Sequence, residues 1–189
     1  MIAQKLKIAI SPEASAKIDQ VPTKNIEAYE QFQKGYYYLY KKYYNTHDQV
    51  DFEKAKQFFE KAIQLDSNYA EAYAGLAEVY DELRNDFGSK NKMDSFPPDL
   101  MILKEKLARK ALALNPNSSF VNTAMAYAIL HRTNPDFDSS LYFLKNAYHL
   151  APRDPMTNNN LAFIYNNLLG LHEVALPFIQ DAIKGDPLD

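Results

Sequence analysis

The sequence predicts an all-α protein, an α-solenoid of stacked helical hairpins with a short helical segment before it, and three observations carry the prediction. Apolar side chains recur at steps of three and four, the spacing that gathers them on one face of a helix. One arrangement of small and large apolar residues returns along the chain, which is the signature of a repeat array. Each copy closes on a proline-bearing or polar turn through which a helix does not continue. The 189 residues are near the usual size of one domain, and 47% apolar with 13% aromatic side chains suffice to bury a sizeable core.

In chain order, residues 1–24 form an N-terminal linker and helical segment without the repeat pattern. Ile2 to Ile10 is followed by Ser11-Pro12-Glu13, a helix start, and then by Val21-Pro22-Thr23. Residues 25–189 hold four copies, at about 25–68, 69–118, 119–153 and 154–187. The second helix of each copy is the plainest. Ala55-x3-Phe59-x2-Ala62-x2-Leu65, Leu144-x2-Ala147-x2-Leu150-Ala151-Pro152 and Ala175-x3-Ile179-x2-Ala182-x4-Pro187 share one pattern. Lys104-x2-Leu107-Ala108-x2-Ala111-x2-Leu114-Asn115-Pro116 is a looser version. The first helices read Tyr73-x2-Leu76-Ala77-x2-Tyr80, Met125-Ala126-x2-Ile129 and Leu161-Ala162-x2-Tyr165. A small residue between bulky ones lets a neighbouring helix approach closely while the bulk fills the groove, so the unit is a helical hairpin.

The matched alanines at 62, 111, 147 and 182 lie 49, 36 and 35 residues apart, so the first interval carries an insertion. Gly88 and Pro97-Pro98 are helix breakers, and residues 84–99 are expected to form a long loop with Asp99 capping the next helix. The first copy lengthens its hairpin through Lys41 to Val50, with Asp51 as the expected cap. Long loops within compact arrays are usually functional or mobile.

These residues resemble four tetratricopeptide (TPR) repeats, of about 34 residues each, over roughly Asn25 to Pro187. The third copy departs from the family pattern. Asn122 stands where the family has a bulky aromatic, and Ser140 replaces the small alanine of the second helix, so looser packing is expected there. Pro177 inside the last helix removes a backbone donor. The opening, Ile2-Ala3-x2-Leu6, Ser11-Pro12-Glu13, Pro22-Thr23-x-Asn25-x-Glu27-Ala28-Tyr29 and Lys34-Gly35-x-Tyr37-Tyr38, is similar to a known junction. It resembles the segment before the C-terminal TPR region of bacterial class III adenylate cyclases and winged-helix transcription regulators. That resemblance implies a sensory or scaffolding piece of a longer bacterial regulator.

The resemblance further implies a non-catalytic scaffold whose first helices line a concave groove that holds a protein or peptide. The candidate contacts are Tyr29, Phe32, Tyr36 and Tyr40 on the first helix, Glu71, Glu78, Asp81 and Glu82 on the third, and Asn159, Phe163, Asn166 and Asn167 in the last copy. Two readings of the aromatic helix stay open: an open pocket, or packing against Ile2 to Val21. Carboxylates in mid-groove favour a partner with basic residues. Asn158 and Asn160 are assigned to helix packing or the helix start. Val174 and Phe178 on one side of the last helix, with Leu176 and Ile183 nearly opposite, widen its apolar arc. That arc suggests homodimerisation through the C-terminal helix; a small-ligand sensor is a further alternative.

Other chemistries lack their residues. There is no cysteine, and His47, His131, His149 and His172 show no short ligand spacing, so no metal is expected. Asp86-Phe87-Gly88 matches a kinase tripeptide in letters only, and five glycines supply neither a phosphate-cradling loop nor a dinucleotide fingerprint. No cofactor and no catalytic residue is expected. Asn117-Ser118-Ser119 reads as a turn capping the helix after it. A net charge of -3 favours no direct nucleic-acid partner, and Gln4, Lys5 and Lys7 interrupt the one candidate leader, so neither a membrane span nor secretion is expected. The expected location is the cytoplasm.

Overall fold

A computed structural model describes residues 22–89 and 97–185, and these form an all-α TPR-type solenoid without strands among the described residues. Helix α1 (Ile26–Tyr36) runs on through π-helical Tyr37–Tyr43 and a last α turn, Tyr44–Thr46. Then come α2 (Gln49–Leu65), α3 (Ala70–Ser89), α4 (Pro98–Leu114), α5 (Ser119–Leu130) and α6 (Phe137–Leu150). Helix α7 (Pro155–Phe163) continues as π-helical Ile164–Leu168, and α8 is His172–Gly185. The pairs α1/α2, α3/α4, α5/α6 and α7/α8 are hairpins, and α2 on α3, α3 on α5, α4 on α5 and α6 on α7 stack them.

Short polar side chains start most helices by accepting the free amides of the first turn. Asn25 accepts from Ala28 N at 3.0 Å, Asp48 from Val50 N at 2.8 Å, Ser118 from Val121 N at 3.4 Å, Asp136 from Ser139 N at 2.9 Å and Asp154 from Thr157 N at 2.8 Å. Two expected caps are displaced. Asp48, not Asp51, caps α2, because the helix begins three residues before its first buried apolar residue, Phe52; Pro97, not Asp99, precedes α4, with Pro98 and Asp99 in its first turn. The lengthening at Lys41 to Val50 is mostly helix, ended by His47 in the left-handed conformation (φ 50°). Helix α3 likewise passes Gly88 as far as Ser89, so the expected loop is shorter by those residues. Residues 90–96, the Ser11-Pro12 helix start and its possible packing against α1 lie outside the described residues.

Small residues set how closely the helices pack. The ring of Phe59 from α2 is wedged between α1 and α3 at two glycines. A Cβ on Gly35 would come within 2.9 Å of that ring, and one on Gly75 within 2.4 Å. Between α3 and α5 the small residues are alanines: Ala70 and Ala74 share one core cluster with Val121 and Ala124, and Ala77 shares another with Met125 and Ala128.

The third repeat is not looser at its unusual residues. Asn122 is buried, and its Nδ2 donates to Pro116 O and Ser118 O, both at 2.8 Å. Asn158 repeats this brace in the fourth copy, donating to Pro152 O at 2.9 Å and Asp154 O at 3.1 Å. Buried Ser140 donates to Ala126 O at 3.0 Å, satisfying its hydroxyl inside the α5/α6 contact.

Candidate functional site

The first helices α1, α3, α5 and α7 enclose a trough of three connected hollows. The one nearest Pro22 (about 370 Å³) contains Tyr36, Glu71, Thr123 and Met156; the middle one (about 470 Å³) Tyr36, Tyr40, Glu78, Tyr127, Asn159 and Asn160; the last (about 220 Å³) Tyr44, Glu78, Glu82, His131 and Phe163. One wall is an aromatic ladder. Tyr36 and Tyr40 lie 4.5 Å apart between ring centres, Tyr40 and Tyr44 stack at 5.5 Å, and Phe120 of α5 meets Tyr36 at 6.2 Å. Four residues overshoot a full turn of α-helix, whereas the wider π turn makes up the difference, so the π-helical stretch keeps Tyr36, Tyr40 and Tyr44 on the trough.

The opposite wall carries charge. Asp81 is 2% exposed and fully engaged: buried Lys104 of α4 donates to its Oδ1 at 2.7 Å, and His131 Nδ1 lies 2.7 and 2.8 Å from its two oxygens. Burial pushes the Asp81 carboxyl up, but the His131 hydrogen bond and charge, together with Lys104, outweigh it and hold the group below the usual carboxylate range. Glu82 accepts from Tyr44 Oη at 2.7 Å and Asn85 Nδ2 at 3.2 Å, yet burial keeps its pKa above the ordinary value.

Glu78, one turn before, has neither arrangement. It is 5% exposed, its Oε1 has no hydrogen-bond partner among the described residues, and burial first, then the charges of Asp81 and Glu82, raise its pKa well above the ordinary value. Glu71, 7% exposed, takes one hydrogen bond from Asn115 Nδ2 at 3.2 Å on Oε1, and its Oε2 has none. Burial and the nearby carboxylates also push the Tyr40, Tyr44 and Tyr127 hydroxyls up, so all three remain protonated. Of the eight buried side-chain polar atoms without a partner among the described residues, five belong to residues that line the trough: Tyr40 Oη, Glu71 Oε2, Glu78 Oε1, Thr123 Oγ1 and Asn160 Nδ2.

Tyr36, Tyr40, Glu71, Glu78, Glu82, Asn159 and Phe163 thus stand together on the trough. Phe32 borders the first hollow but is mainly core, its ring 5.6 Å from Phe59 and 5.2 Å from Tyr69. Asp81 borders the last hollow with its charge already spent on Lys104 and His131. Tyr29 sits elsewhere, in a shallow apolar hollow with Gln33, Lys34 and Tyr37. Asn166 and Asn167 bond to each other (2.6 Å), and Asn166 Oδ1 meets His172 Nδ1 at 2.6 Å, outside all three hollows. Several trough residues are missing from the sequence candidates, among them Tyr44, Thr123, Tyr127, His131 and Met156, although Tyr44 extends the four-residue aromatic spacing. Asn160, assigned from the sequence to packing, accepts from Tyr127 Oη inside the trough.

Among the described residues no group of His, Asp and Glu could hold a metal ion, and no helix is long and apolar enough to cross a membrane.

Fold and trough together define a tetratricopeptide-type solenoid. Among solved structures, the chain is similar to TTC0263, a thermophilic TPR protein of Thermus thermophilus, with 16% identity, a TM-score of 0.58, and coverage of 85% of this chain and 75% of that one. It is also similar to MamA from MSR-1, with 21% identity, a TM-score of 0.45, and coverage of 77% of this chain and 72% of that one. The TTC0263 likeness bears on the fold alone. No protein-family model matches the sequence, and no curated protein matches it.

Proposed function

We propose that this chain is a non-catalytic protein-interaction module whose trough holds an extended protein segment, within a bacterial signalling or regulatory protein of the cytoplasm. The observation that carries the reading is the gathering of partnerless buried polar atoms on one surface. Folded proteins leave few such groups, and five of the eight among the described residues belong to side chains that line the trough: two carboxylate oxygens, two hydroxyls and one amide donor. An extended backbone offers both donors and acceptors to such a surface, and the tyrosine ladder offers apolar area at little cost in side-chain freedom. The regulatory context rests on the resemblance of the opening residues to bacterial regulators, and the location on the absence of cysteine.

Selection of peptides from a random displayed library against the full chain tests the trough. Tyr127→Ala and Phe163→Asp are expected to abolish binding of the selected peptides, and Ile102→Asp at an exposed position of α4 to leave it intact. Loss with Ile102→Asp alone contradicts the reading.

A second reading, self-association through α8, is favoured by the exposure of Val174, Leu176 and Ile183 there and of Leu169 and Leu171 just before it. Light scattering over a range of concentrations is expected to show a dimer that Leu176→Asp dissociates. A monomer at every concentration removes this reading.

A further inference from the structure

Resting on the trough as the binding surface, the geometry adds the kind of segment it takes. Two carboxylates that line the trough keep a buried oxygen without a partner among the described residues, Oε2 of Glu71, a residue of the first hollow, and Oε1 of Glu78, a residue of the middle one, and both side chains are more than nine-tenths buried. Among the described residues neither forms an ion pair as Asp81 does: Lys104 bonds to Asp81 and acts on Glu78 only at a distance, and exposed Lys41 stands in the wall of the middle hollow without an ion pair to either. A buried carboxylate with an empty acceptor is destabilised, and a cation beside it relieves that cost.

Spacing restricts how the cations are carried. Glu71 and Glu78 lie seven residues apart on α3, which places them on nearly the same face and about 10.5 Å apart along the axis. In a β-strand, alternate residues share a face, so basic residues come about 7 or about 13 Å apart, too short or too long. In a polyproline II helix, residues three apart share a face at about 9.3 Å, and flexible basic side chains absorb the difference of about 1 Å. The Tyr36, Tyr40 and Tyr44 ladder between and beyond these positions supplies the aromatic wall on which polyproline II segments dock.

We infer that the trough binds a polyproline II segment bearing two basic side chains three residues apart, one seated at Glu71 and the other at Glu78.

The test uses the full chain and three end-blocked, proline-framed peptides in fluorescence anisotropy: lysines three apart, lysines two apart, and norleucines three apart. The first is expected to bind about tenfold more tightly than either other, the scale of one charge-assisted hydrogen bond. Glu71→Gln and Glu78→Gln, nearly isosteric and each removing a buried charge, are each expected to erase that advantage, and Glu173→Gln on α8 to preserve it. Equal affinity for the three peptides, or an advantage that survives both glutamine variants, overturns the inference. If library-selected peptides occupy the trough while these lysine peptides do not bind, this inference fails and the broader reading of the trough stands.

Discussion

Glu78 and Asp81 sit one turn apart on the same helix and are both buried, yet they occupy opposite electrostatic situations. Asp81 has Lys104 and His131 bonded to it; Glu78 feels the same Lys104 only at a distance, and burial with the charges of Asp81 and Glu82 outweighs it. Breaking a buried pair leaves an uncompensated charge, so Lys104→Met is expected to cost about 3 kcal/mol in chemical denaturation at neutral pH. The Glu78 pKa is higher in the folded than in the unfolded chain, so the folded form holds that proton more tightly. Its contribution is favourable in acid and is lost as pH rises from the ordinary value of 4.5 toward the folded value. Glu78→Gln is therefore expected to raise Tm at neutral pH, with the gain shrinking to nothing below pH 4.5. Melts across that range check this; a Tm lowered at neutral pH contradicts it.

At the scale of the helix, close approach matters more than propensity. Gly75→Ala places a methyl carbon where only 2.4 Å separates it from the Phe59 ring, which is itself held between two helices. A loss of about 1 to 3 kcal/mol is expected, as for other overpacked cores. The asparagine braces make a paired prediction: Asn122→Ala and Asn158→Ala each leave carbonyls without a buried donor and should cost similar amounts, about 1 to 3 kcal/mol. The sequence showed these hairpins clearly because each second helix repeats its apolar spacing through a terminal turn. It did not show that Asn122 is a brace, because the acceptors are backbone carbonyls six and four residues earlier in a turn. Nor did it show the helical extension to Thr46, since Lys41 to Val50 lacks the apolar steps of three and four that mark a buried helix face.

For the whole molecule, the side-by-side first helices turn scattered residues into one surface. Tyr36, Glu78, Tyr127 and Asn159 come from four helices and meet only because the alanine notches let α3 and α5 nest. The carboxylate stripe on α3 was legible from helical spacing. Which carboxylate remains unpaired was not, because Lys104 and His131 reach Asp81 from 23 and 50 residues away. Likewise Asn159 and Asn160 differ by one residue but both reach the trough, while Asn166 and Asn167 fall beyond it where the π-helical turn redirects the chain. The most direct measurement is amide and side-chain chemical-shift mapping of the full chain with a library-selected peptide. Perturbations gathered on Tyr40, Glu78, Thr123, Tyr127 and Asn159 are the predicted result. Perturbations gathered instead on exposed α4 residues such as Ile102 and Lys106, with the trough unchanged, would contradict the account.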